Sequence, residues 1–371
     1  MEKYKDMTMR KKSNIKMARN LVFFIGLIIF TFWFVLKDQD LNELALAIDS
    51  SNKLYIVIAG LLMFCVFLCE AINVRSILFS LGEKKMSIFK ALKLTWIGSF
   101  FSAITPAATG GQPVEIYYMT KEGIKGANGT MAMLMQLCGF QISTLVLSII
   151  CGIANPSLLK DGIIWFYLLG LFINGFALSI MIICIFSEKI SKGLINFNIK
   201  MMKKMRIKAV DKIQKKLEDG INQYTESATF IKTHKDLFIK SVLRVFVQIT
   251  IYHSIPYFIY RSFGLNELNF LQLFSMQSVL YTTVSGIPLP GSIGISETLF
   301  LKLYGMAFGV KLLSGAMLLY RFVSFYFYLI VSAIIVVVNA VKMKDVEGEI
   351  DKAVKEIEKI KFKDKQKLAY S

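Results

Sequence analysis

The sequence predicts an all-α polytopic membrane protein: six full spans plus two re-entrant helical hairpins, arranged as an inverted repeat, with both termini cytoplasmic. Three observations carry this expectation. The 371-residue chain is 55% apolar and only 19% charged, with a mean hydropathy of +0.54, which a soluble domain does not sustain. Its lysines and arginines gather in alternate loops. Two apolar segments are interrupted mid-length by proline and glycine at matching positions.

The first apolar run, LVFFIGLIIFTFWFVL at 21–36, follows a basic tail, 1–20. A cleaved signal peptide is the alternative, because ALA stands at 45–47, but that tripeptide lies beyond a charged stretch and too far from the apolar run. The run is therefore taken as a retained span. Further runs at 54–80, 127–153, 163–186, 238–260 and 312–341 read as spans by the same criterion. Segments 88–122 and 268–304 are apolar but broken, by ITPAATGGQPVEIYYM (104–119) and GIPLPGSIGISETLFL (286–301).

Lys and Arg set the orientation. The tail 1–20 carries seven, 81–93 four, 117–126 two, 187–237 twelve and 341–371 nine, against five in 37–53, 155–162, 261–268 and 305–312 together. The rich set belongs to the cytoplasm. Segment 88–122 then starts and finishes on the cytoplasmic side. Each leg, about 15 residues, reaches roughly 22 Å at ~1.5 Å per residue, short of a hydrocarbon core of ~30 Å. By the same logic 268–304 enters and leaves on the outer side. The first and second halves thus repeat the same four elements in opposite orientation, and Pro106 precedes Glu115 by nine residues just as Pro288 precedes Glu297 by nine. Inverted repeats with broken helices place a site at the repeat interface. The expected organisation is a basic tail (1–20), repeat A (21–186) with hairpin 88–122, a basic helical connector (187–237), repeat B (238–341) with hairpin 268–304 and its first span at 163–186, and a charged cytoplasmic helix (342–371).

In hydrocarbon, broken backbone is tolerated only where protein buries it or where it lines a wet cavity. Pro106, Gly110, Gly111 and Pro113 free amides and carbonyls near mid-membrane. Helices starting near Pro113 and near Ser296 would aim their amino ends into that cavity from opposite sides, a pocket suited to an anion such as phosphate. Packing kinks with no ligand are the plainer alternative.

Three acids fall within the membrane segments: Glu70, Glu115 and Glu297. Glu115 and Glu297, just after the breaks, either support the turns through the helix dipole or serve substrate or protons. Glu70 and Arg75, five apart, do not share a helix face, so each is expected to meet another element, or Arg75 to snorkel to headgroups. Arg321, deep in the last span, either grips a lipid phosphate with its planar fork or pairs with Glu297 or Glu115. Lys302 reads as interfacial.

Other chemistries find no support. The five cysteines lie in apolar runs, the only histidines are His234 and His253, and no phosphate-binding loop is present, so no metal site, cofactor or catalytic residue is expected. The net charge of +18 points to an anionic membrane surface, with no nucleic-acid motif beside it.

TPAATGGQPVEIYYM (105–119), GIPLPGSIGISETLF (286–300) and YRFVSFYFYL (320–329) together resemble the flippase-like transmembrane domain of the lysylphosphatidylglycerol synthetases, the multiple peptide resistance factors. The resemblance runs over about 20–343. Pro106, Gly110, Gly111, Gln112, Pro288, Pro290, Gly291, Gly294, Glu297 and Arg321 match the family pattern, which implies cavity roles for them, and Thr105 is a further candidate for the cavity. Glu115 departs from members that carry a basic or amide residue there. Full-length members append a cytoplasmic domain that attaches lysine to phosphatidylglycerol, and this chain is expected to correspond to the flippase half alone. The implied function is inner-to-outer movement of a modified polar lipid, an aminoacylated phospholipid or a glycolipid, in a bacterial inner membrane. The implied partners are those lipids and a separate lipid-modifying enzyme, with an oligomer as an open option. A membrane-embedded transferase and a small-solute carrier are the competing functions.

Overall fold

The structure, a computed structural model, describes residues 41–84, 86–105, 108–160, 162–186, 226–285 and 295–339, and all of its regular elements are helices. The basic tail, the first apolar run, most of the connector and the C-terminal charged helix lie outside the described residues, as do Pro106, Pro288, Pro290, Gly291 and Gly294.

Helix α1 (Leu41–Ser50) is followed by α2 (Lys53–Ser80), α3 (Ile88–Ile104), α4 (Gly111–Lys121), α5 (Gly126–Ala154), α6 (Ile163–Phe186), α7 (Lys235–Ser262), α8 (Phe270–Ser285) and α9 (Ile295–Arg321). The last continues through a π-helical turn, Phe322–Tyr326, into helix up to residue 339. Among the described residues, five stretches are long and apolar enough to cross a membrane: Lys53–Ser80, Gly126–Ala154, Ile163–Ile183, Lys235–Ser262 and Ser296–Asn339. The expected spans at 54–80, 127–153, 163–186 and 238–260 match these within a few residues. The chain is a multi-pass membrane protein.

Local chemistry fixes the helix starts. Asn52 caps α2 by accepting from Leu54 N (3.0 Å), and Ser87 caps α3 by accepting from Lys90 N (3.2 Å). At α8 the cap is reciprocal: Gln272 N donates to Asn269 Oδ1 (3.0 Å) while Asn269 N donates to Gln272 Oε1 (2.9 Å). One element was not foreseen. Segment 37–53, read from the sequence as a plain loop, contains α1, whose Leu44 and Ala47 are buried against α9. Their three-residue spacing gives α1 an apolar stripe.

The 44-residue apolar stretch from Ser296 to Asn339 is two antiparallel legs. A straight helix would separate residues 297 and 321 by ~36 Å, yet Glu297 Oε1 and Arg321 Nε lie 3.0 Å apart and the rings of Phe300 and Tyr320 5.4 Å apart. The chain reverses at Gly309, which has φ 64° and ψ 166°, a backbone conformation that glycine adopts without steric cost.

Two apolar cores flank the centre. One joins Ile77 and Leu78 of α2 to Ile97 and Phe100 of α3 and Met131 and Met135 of α5. The other joins Ile255 and Ile259 of α7 to Val279 of α8 and Phe300 and Tyr304 of α9. Helix α2 contributes to both and packs along α7 through the middle of the molecule.

Candidate functional site

The α3–α4 break is built by one hydroxyl. Thr105 Oγ1 donates to Phe101 O (2.7 Å) at the end of α3 and accepts from Gly110 N (2.9 Å) at the start of α4. Between them Ala108 holds φ 54°, an uncommon conformation for a residue with a β-carbon. The break brings α4 back along α3 so closely that a β-carbon on Gly111 would stand 2.7 Å from Gly98 O and collide with the Ser102 side chain. Gly98 itself, in the middle of α3, is covered by the Glu115 side chain.

Helix α4 begins at Gly111, two residues before the start expected near Pro113, so Glu115 lies past the first turn. Glu297 is in the first turn of α9, as expected. Its Oε2 accepts from Ser296 Oγ (2.9 Å) and its Oε1 pairs with Arg321. Arg321 also lies against the rings of Phe325 (4.6 Å) and Tyr326 (5.7 Å), which the π-helical turn presents to it. Of the two acids the sequence offered as partners for Arg321, Glu297 is the one it pairs with.

Between the two cores lies a cavity of about 700 Å³. Its wall includes Gln112 and Glu115 from one broken segment, Glu297 from the other, Arg321 from the last span and Glu70 from α2. The amino end of α4 reaches it through Ala108 and Thr109, and that of α9 through Ser296. Two helix amino ends therefore meet at one cavity, but the one on α9 already holds its own carboxylate, and the cavity wall carries three carboxylates against one guanidinium.

Glu70 and Arg75 do diverge to different partners. Glu70 Oε2 accepts from Gln248 Nε2 (3.1 Å), Gln248 Oε1 from Gln136 Nε2 (3.0 Å), and Gln136 Oε1 from Asn73 Nδ2 (2.6 Å). This chain of amides ties α2, α5 and α7 together. Arg75 instead donates to Met86 O (3.0 Å) in the loop before α3, and Lys302 is exposed; neither lines the cavity. Asn73, Gln136, Gln248 and Gly98 were not singled out from the sequence. A signal existed for the amides, since each is a polar residue inside an apolar run.

A second polar group of tyrosines lies on the α7–α9 side. Tyr320 Oη accepts from Gln277 Nε2 (2.7 Å) and lies 3.2 Å from Tyr252 Oη, while Tyr304 donates to Gln277 Oε1 (3.3 Å). At the end of the α3–α4 pair away from the break, Glu122 bonds Lys90 (2.6 Å) and Lys93 (3.2 Å). Partial burial alone would raise the Glu122 carboxyl, but the hydrogen bonds and charges of the two lysines outweigh it and hold the group below its ordinary value.

The family model described as "Lysylphosphatidylglycerol synthase TM region" matches residues 21–332 of the chain. A "UPF0104 membrane protein" of Archaeoglobus fulgidus is 28% identical over 130 residues, which is 34% of this chain and 39% of that protein. The aligned part thus spans about two fifths of the length of this curated relative.

Proposed function

The chain belongs to the lysylphosphatidylglycerol synthase TM-region family, and on that premise we propose that it is a lipid flippase or scramblase. It moves a modified polar lipid, an aminoacylated phosphatidylglycerol or a glycolipid, from the inner to the outer leaflet of a bacterial inner membrane. A separate enzyme supplies the lipid, and the transport contributes to resistance against cationic antimicrobial peptides. The observation that carries this reading is the cavity of about 700 Å³, whose largely apolar wall also carries Glu70, Glu115, Glu297 and Arg321, set among helices with apolar outer faces, and to which both broken segments contribute. A headgroup crosses through such a cavity while its acyl chains stay in lipid.

The topology we propose for this task is six spans and two re-entrant hairpins in an inverted repeat, with both termini cytoplasmic. Its support is length. Helix α4 has 11 residues, α8 has 16 and α3 has 17, and the leg of α9 before Gly309 is of similar size. At ~1.5 Å per residue these reach about 16 to 26 Å, short of ~30 Å. Single-cysteine labelling tests it: positions 155–162 and 266–267 react from outside and 121–125 only from inside. Labelling of 121–125 from outside would overturn the hairpin and the repeat together.

Function is tested by reconstituting the protein in vesicles with a fluorescent aminoacylated phosphatidylglycerol and following its loss from the outer leaflet. No acceleration over empty vesicles rejects lipid movement for this class. The second reading is a membrane-embedded lipid transferase, which the family's name suggests. A new lipid species formed by the purified protein alone would favour it.

A further inference from the structure

The charged groups of the cavity do not balance. Arg321 is engaged by Glu297 at 3.0 Å, which leaves the carboxylates of Glu70 and Glu115. Their surroundings differ. Glu70 stands at the end of the amide chain, in which Asn73 donates to Gln136, Gln136 to Gln248 and Gln248 to Glu70. Every donor in that chain points toward the carboxylate, so the chain supports an ionised Glu70. Glu115 has no such support. It is 4% exposed, it lines the cavity, and its Oε2 has no hydrogen-bond partner among the described residues. A buried carboxylate oxygen left without a donor is strongly disfavoured unless a cation or a proton reaches it. Glu70 and Glu115 face the same cavity, so a charge on one opposes a charge on the other. The other titratable or charged groups on the cavity wall are the Glu297–Arg321 pair and the phenols of Tyr252, Tyr281, Tyr320 and Tyr328. None of them brings an unpaired cation to Glu115.

We propose that Glu115 carries a proton, and that headgroup passage is coupled to proton movement through the Glu70–Glu115 pair. The proposal rests on the cavity being the lipid passage and adds coupling to it. The step is a simple protonation. A proton from water in the cavity bonds to Glu115 Oε2, Glu70 remains the charged partner, and the O–H bond breaks when the proton returns to water on the other side. No electrons change hands. A headgroup bearing an ammonium competes with the proton for the same carboxylates, so entry of one accompanies loss of the other.

The test uses the full chain in phosphatidylcholine vesicles carrying a trace of fluorescent aminoacylated phosphatidylglycerol, with a pH dye trapped inside. An imposed pH gradient should change the rate of lipid movement severalfold and lipid movement should shift the lumen pH, whereas Glu115→Gln should respond to neither. Lipid movement that is equal with and without the gradient, and leaves the lumen pH unchanged, overturns the coupling and leaves the flippase reading intact. If the lipid does not move at all, the flippase reading fails for that lipid, and infrared difference spectra of the protein in lipid decide the protonation. A protonated-carboxyl band that responds to bulk pH and is missing from Glu115→Gln supports the proton site; identical spectra from the two proteins overturn it.

Discussion

The carboxylate of Glu115 lies in the space that a β-carbon on Gly98 would occupy. Helices α3 and α4 meet so closely there that one residue can reach the cavity only because the other has no side chain. A glycine in the middle of an apolar helix, costly by helix propensity alone, is explained by what it lets pass.

Gly98→Ala is therefore expected to push Glu115 out of place and lower stability by about 1–3 kcal/mol, the usual effect of overpacking. Gly60→Ala is the control. Nothing lies within 4 Å of a β-carbon there, so the substitution should be neutral or stabilise α2 by up to ~1 kcal/mol. Thermal unfolding in detergent, followed by loss of the monodisperse chromatographic peak, compares the two.

Arg321→Ala leaves Glu297 buried without its partner, and a loss of about 3–5 kcal/mol is expected. The double variant Arg321→Ala with Glu297→Ala should recover part of that stability, since no lone charge remains. If lipid movement recovers fully as well, the pair is structural and the headgroup is gripped elsewhere. Arg321→Lys keeps the charge but loses the planar fork lying against Phe325 and Tyr326, so it should fall between wild type and Arg321→Ala.

The amide chain makes its own forecast. Gln136→Leu removes the middle link, leaves Asn73 with Ser241 Oγ (3.0 Å) alone and strips Gln248 Oε1 of its donor, at a cost of about 1–3 kcal/mol for the group left unpaired. Gln141→Leu, on the same helix and at the same cavity, removes a buried oxygen that has no partner among the described residues and should cost less. Melting temperatures of the two variants in one detergent give the comparison.

Glu122 links α3 to α4 through Lys90 and Lys93, and its carboxyl is held below the ordinary value because the two lysines outweigh its partial burial. A depressed acid stabilises the fold above its unfolded value, ~4.3, and that contribution is lost as pH falls through the lower folded value. Stability should therefore decline on acidification across that window, less steeply in Glu122→Gln. Added salt should shrink the difference, because the lysines remain partly exposed.

Much of the site was legible because ionisable residues stand out in apolar runs. Glu70, Glu115, Glu297 and Arg321 could be found that way, and the cavity gathers all four. The reversal before the last span was legible too, from the short loop around Lys311. What could not be read was pairing. The amides Asn73, Gln136 and Gln248 are visible as polar residues in apolar runs, but only the packing of α2, α5 and α7 shows which of them meet. The charge balance of the cavity was hidden in the same way. Composition shows that a helix begins near Ser296, but not that Glu297 both occupies that end and takes the nearby guanidinium. The α1 helix was missed because its apolar stripe is short and bordered by acids.

The two sets of polar contacts differ in how much chain they enclose, and that sets an order of assembly. Glu297 and Arg321 close a loop of 24 residues, short enough to form as soon as the last leg is inserted. The Gln136–Gln248 and Glu70–Gln248 bonds bridge 112 and 178 residues. Contacts of that reach wait for the whole intervening chain and form slowly. The carboxylate Glu70 thus sits without its amide partner until α7 leaves the ribosome and docks, and the first half of the molecule must spend that interval in the bilayer with an acid it has not yet satisfied.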